Sequence, residues 1–159
     1  MSRATVDALK GPIDQSFSLI SQFIDVCPDN IWAEKSGGWP VWQQIYHSLG
    51  AVDFFVGSPG EAGSPPLVSA DEAGLRKVSE STVGKADIKS ACQAAKEKVD
   101  RYAAGLSDAD LVKRNDGLFE RAQMDMSHAA TLSLLAAHAL YHLGSCDAAL
   151  RNHGLEGVF

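Results

Sequence analysis

The chain has 159 residues, 45% of them hydrophobic, with 14 Lys and Arg against 20 Asp and Glu for a net charge of −6. That length fits one domain over residues 1–159, and the apolar share is enough to build a core, which excludes wholesale disorder. The acidic balance argues against a nucleic-acid partner, which is gripped by clustered cations, and no run approaches the roughly 18 apolar residues of a membrane span.

The first predicted helix carries Val6, Leu9, Ile13, Phe17, Ile20, Ile24 and Cys27 at spacings of three and four, the pattern of a helix with one buried face. Gly11-Pro12 interrupts it, so the helix either starts with Pro12 in its first turn or runs longer and kinks there. Pro28-Asp29-Asn30 ends it. The second predicted helix opens at Trp39-Pro40, with proline in the first turn, and carries Val41, Ile45, Leu49, Val52 and Phe55 as far as Gly57. The third opens with Asp87 as N-cap and continues through Ile88, Ala91, Cys92, Ala95, Val99, Tyr102 and Leu106. The fourth opens near Ser127, runs through an alanine- and leucine-rich stretch, and closes at His153-Gly154.

Between these lie two connections. Residues 57–86 are rich in glycine and proline and leave room for about one helical turn. Residues 107–126 contain Asn115-Asp116-Gly117, a turn signal. No strand is expected. The reading is an all-α fold, a four-helix bundle with one long crossover between its second and third helices. Asp7, Lys10 and Asp14 break up the N-terminal stretch, so a secretory leader is not expected. Cys27, Cys92 and Cys146 are odd in number and form no CxxC pair. They read as small buried hydrophobes of a cytoplasmic protein.

The histidines carry the chemistry. His138 and His142 stand four apart on the fourth helix and share a face with Thr131, Leu135, Ser145 and Ala149. That is the spacing at which two imidazoles reach one metal ion. His47 lies on the second helix, on a stripe with Gly50, Ala51 and Phe54, whose small members leave room beside the ring. Three neutral imidazoles in a dry core are poorly satisfied without a shared ligand, and together they leave a coordination position open. His128, near the start of the fourth helix, and His153, at its end, are expected at the surface or in caps. Tyr46 and Tyr141 each precede a histidine of the trio and point away from it, toward a neighbouring helix or a partner chain. Tyr102 is within possible reach of the site, Trp39 and Trp42 are expected to pack at one end of the bundle, and Cys146 is expected in the core. There is no HExxH motif and no phosphate-binding loop.

The segment Trp39-Pro-Val-Trp-Gln-Gln-Ile-Tyr-His47 resembles the second-helix motif of the DinB/YfiT-like family of metalloenzymes, and His138-Ala-Leu-Tyr-His142-Leu-Gly resembles its fourth-helix motif. The phrase Leu106-Ser-Asp-Ala-Asp-Leu111 is similar to one that follows the family's third helix, and the order is the same, with the pair beginning 91 residues after His47. Two positions depart: relatives often carry serine at Pro40 and glutamine at Ser145. The resemblance implies an up-down-down-up bundle, with His47, His138 and His142 as ligands to zinc or nickel. It also implies a small-molecule substrate, and since relatives often look dimeric a homodimer is expected, with Tyr46, Tyr141 and Leu140 as candidates for its surface. Some relatives look like transferases that use a low-molecular-weight thiol and others like metal-dependent hydrolases. A non-catalytic metal-binding or interaction bundle is the reading from a different class.

Overall fold

Apolar residues spaced by three and four bury one stripe of each long helix, and those stripes make the core. The computed structural model describes residues 2–57 and 65–159. Helix α1 (Ala4–Val26) buries Val6, Ile13, Phe17, Ile20, Phe23 and Ile24. The alternatives open at Pro12 resolve as one helix with Pro12 inside it. Proline withholds the N–H that the Ala8 carbonyl would accept, but Val6 and Ile13, on either side, are both fully buried and hold the two halves to one core.

A short helix, α2 (Asp29–Trp32), follows Pro28. Next comes an antiparallel hairpin of two-residue strands, β1 (Lys35–Ser36) and β2 (Trp39–Pro40), with Ser36 opposite Trp39. This corrects the expectation of no strand; four residues are too few for alternation to show. Gly37 and Gly38 turn it at φ +59° and +94°, in the left-handed region that glycine enters without steric cost. The hairpin is tied down on two sides. Ser36 Oγ donates to the Ser145 carbonyl at 2.6 Å, and Gln44 Nε2 donates to the carbonyls of Ser36 and Trp39 at 2.6 and 3.2 Å. Trp39 is partly buried, and Trp42 and Trp32 are buried, with Trp32 Nε1 donating to the Val83 carbonyl at 2.9 Å.

Helix α3 (Val41–Val56) has Pro40 as its N-cap, one position outside the first turn where the sequence reading set it. Of the connection over 57–86, residues 58–64 lie outside the described residues; the rest holds α4 (Ala70–Ala73), the single turn expected. Helix α5 (Lys85–Ala104) is capped by Gly84, so Asp87 is not its N-cap but sits in its first turn, where a carboxylate favours the helix dipole. The expected turn at Asn115 is instead the N-cap of α6 (Asp116–Ala122), with the Asn115 side chain accepting from Leu118 N at 3.1 Å. Helix α7 (His128–Asn152) starts at its Ser127 cap and ends at His153 and Gly154 as expected.

Helix α1 packs on α5 and α7, and α3 packs on the same two, so the four long helices enclose a continuous core centred on residues such as Phe23, Ile20, Trp42, Ile45, Val99 and Leu143. The fold is all-α apart from the hairpin. Charged pairs lace the helices together outside the core: Lys10 and Lys96 each contact both Asp14 and Asp100 at 2.6–3.0 Å across α1 and α5, and Lys98 pairs with Asp53 across α5 and α3. The three cysteines are free and buried. No helix among the described residues is long and apolar enough to cross a membrane.

Candidate metal centre

The packing of α3 on α7 brings together the three histidines singled out in the sequence. Ring centroids lie 5.1 Å apart for His47 and His138, 4.7 Å for His47 and His142, and 4.7 Å for His138 and His142. One nitrogen from each ring falls within 4.8 Å of the others, close enough for all three to reach one ion. The i, i+4 spacing on α7 supplies two of these rings from one helical face, and the third arrives only because α3 packs alongside.

His47 Nδ1 lies 2.8 Å from the Ala73 carbonyl. A carbonyl only accepts, so Nδ1 carries the proton and Nε2 keeps the lone pair. A backbone carbonyl holding the far nitrogen of a ligand histidine is the usual way its ring is oriented. His138 Nδ1 and His142 Nδ1 are buried and have no hydrogen-bond partner among the described residues. Burial holds both rings below the ordinary histidine pKa. For His142 burial is the main cause, the charges of His47 and His138 add to it, and the ring is pushed down to about 4; for His138 burial acts first and His47 second. Both are therefore neutral at physiological pH, the form that ligates metal. Three rings converging from two helices with one nitrogen each, two of them neutral and carrying a buried unpartnered Nδ1, fit a divalent ion.

Aromatic rings line the group. Phe55 lies 6.4 Å from His138 and Tyr141 lies 5.1 Å from His142, both edge to face. Tyr141 is nevertheless exposed, so the expectation that it turns away from the trio holds only for its outer edge. Tyr46 does turn away: its hydroxyl accepts from Leu67 N at 3.0 Å. It lines a cavity of about 250 Å³ with Leu49, Gly50, Asp53, Ala94 and Lys98, between α3 and α5; none of the three histidines borders that cavity.

The remaining candidates take structural places. Tyr102 does not approach the trio; its hydroxyl lies 2.6 Å from His128 Nδ1, and burial pushes it up to about 12 against the opposing pull of Thr131 and Arg121. His128 is thus half-buried and partnered rather than a surface residue, with its pKa lowered by burial. His153 caps α7 as expected and pairs with Glu34 at 2.7 Å. Cys146 is in the core, its thiol donating to the Val41 carbonyl at 3.5 Å. Trp42 packs in the core at the hairpin end. The sequence reading missed the Ala73 carbonyl. A backbone atom in a glycine-rich connection has no sequence signature, so nothing in the residue pattern pointed to it.

Comparison with protein-family models, with curated proteins and with solved structures finds no match for the chain.

Proposed function

We propose that His47, His138 and His142 hold one divalent ion, zinc or nickel, and that the protein is a metal-dependent enzyme transferring a low-molecular-weight thiol to a small electrophile. The observation that carries the reading is the convergence of three imidazoles from two helices, two of them with buried unpartnered nitrogens. When bound, the ion supplies Lewis acidity that lowers the pKa of a thiol or water at its open position. The chain's own residues prepare the site. Burial keeps His138 and His142 deprotonated, and the Ala73 carbonyl holds the proton of His47 on Nδ1. Phe55 and Tyr141 give the rim an apolar lining.

Around this site the proposed architecture is an up-down-down-up four-helix bundle of the DinB/YfiT-like kind, assembled as a homodimer. The two histidine motifs and the packing of α1 and α3 each against α5 and α7 support the bundle.

Elemental analysis of untagged protein tests the reading. Wild type is expected to carry one zinc or nickel per chain, and His138→Ala to carry none while keeping its helical circular dichroism. A wild type that purifies metal-free and cannot be loaded with either ion overturns the site. Loaded protein is then assayed with bacillithiol, mycothiol and glutathione against small electrophiles. Hydrolysis of esters or amides without any thiol makes it a metal-dependent hydrolase, and bound metal with no turnover makes it a binding bundle.

A further inference from the structure

Gln43 stands one turn before His47 on α3 and is fully buried. Its side chain makes three hydrogen bonds, all to the backbone of one segment: Nε2 donates to the carbonyls of Glu72 and Lys77 at 2.8 and 2.7 Å, and Oε1 accepts from Ser79 N at 3.1 Å. These contacts bracket Ala73, the residue whose carbonyl takes the His47 proton. The segment has little else to fix its position on α3. Helix α4 buries no side chain, and its own order comes from bonds within the segment: a capping box in which Ser69 and Glu72 bond each other, the backbone bonds of its turn, and Arg76 paired with Asp71. A stretch without core side chains opens easily unless something buried anchors it.

We infer that Gln43 is a positioning residue for His47: by clamping residues 72–79 to α3 it holds the Ala73 carbonyl where it fixes the His47 proton on Nδ1 and leaves Nε2 free for the cluster. A neutral imidazole in water slightly prefers its proton on Nε2, so the ring needs such an acceptor to hold the opposite tautomer. The effect on metal affinity rests on the metal reading above; the tautomer is a property of the metal-free chain and stands apart from it.

The neighbouring glutamine provides the control. Gln44 is also buried and also ties backbone carbonyls, but those of Ser36 and Trp39 in the hairpin. Gln43→Met and Gln44→Met each remove buried hydrogen bonds at nearly constant volume. Metal-free protein labelled with 15N in its histidine rings is examined by long-range 1H–15N correlation, and zinc affinity is measured by competition with a chelator. Wild type and Gln44→Met are expected to show His47 protonated on Nδ1. Gln43→Met is expected to shift His47 toward the Nε2–H form and to bind zinc about ten- to a hundredfold more weakly, the size typical of lost outer-shell partners. If Gln43→Met does not fold, Ser69→Ala opens the exposed capping box instead and should shift the His47 nitrogens in the same direction by less. The proposal is overturned by a wild-type His47 protonated on Nε2, by unchanged His47 nitrogens in whichever of these two variants folds, or by an equal change in Gln44→Met. A wild type that takes up no zinc defeats the metal reading, while the nitrogen shifts still decide the role of Gln43.

Discussion

His142 is 7% exposed, is held neutral by burial, and has an Nδ1 with no partner among the described residues. A buried polar atom left unpaired costs about 1–3 kcal/mol, and replacing it with an apolar group of similar shape removes that cost. His142→Leu is therefore expected to stabilise the metal-free protein by about 1 kcal/mol in urea denaturation with a chelator present, and to abolish stoichiometric zinc. Sites of this kind trade stability for function. A variant that is less stable than metal-free wild type would show instead that the imidazole is satisfied as it stands. Of the candidate site, the three histidines were legible in the sequence because i, i+4 spacing and an apolar helix face are pattern properties. Gln43 and the Ala73 carbonyl were not, because their roles depend on where a glycine-rich connection folds back.

The pairing of α1 with α5 depends in part on the cluster of Lys10, Asp14, Lys96 and Asp100. For Lys10, Asp14 and Asp100 burial opposes the charge, yet the mutual hydrogen bonds outweigh it: Asp14 and Asp100 are held below the ordinary 3.8, and Lys10 above the ordinary 10.5. The lowered carboxylates contribute stability that is complete above 3.8 and lost as pH falls through their folded values. The raised lysine contributes stability that is complete below 10.5 and lost as pH rises through its folded value. Both carboxylates are 43% exposed, so solvent screens the cluster and its worth is modest. Lys96→Met is expected to lower stability at neutral pH by no more than about 1 kcal/mol, with the difference from wild type shrinking at about pH 2 and in high salt. A difference that persists in acid would mean that the lysine stem, not its charge, is what matters. The elements themselves divide in the same way. Helices α1, α3, α5 and α7 were legible because a long apolar stripe repeats many times. Helices α2 and α6 and the hairpin were not, because each is too short to repeat and is defined by tertiary bonds. Asn115 caps α6 while its Nδ2 donates to the Phe55 carbonyl at 3.0 Å, a connection across 60 residues that no local pattern carries.

For the whole molecule, the proposed homodimer has one clear candidate surface residue. Of the three named from the sequence, Tyr46 lines the α3–α5 cavity and Leu140 is half-buried, whereas Tyr141 is 74% exposed. Light scattering at micromolar concentration is expected to return twice the 16.9 kDa chain mass for wild type, and the single-chain mass for Tyr141→Glu. A wild type at the single-chain mass removes the dimer.

The hairpin end also determines how this protein can be watched. All three tryptophans, Trp32, Trp39 and Trp42, fall in and around that one small structure, so intrinsic fluorescence is a local probe of a single pole. Far-UV circular dichroism averages over every helix. A melt followed by both signals therefore compares one pole with the whole: coincident curves mean one cooperative unit, and an earlier fluorescence transition means that the hairpin pole loosens while the long helices remain folded.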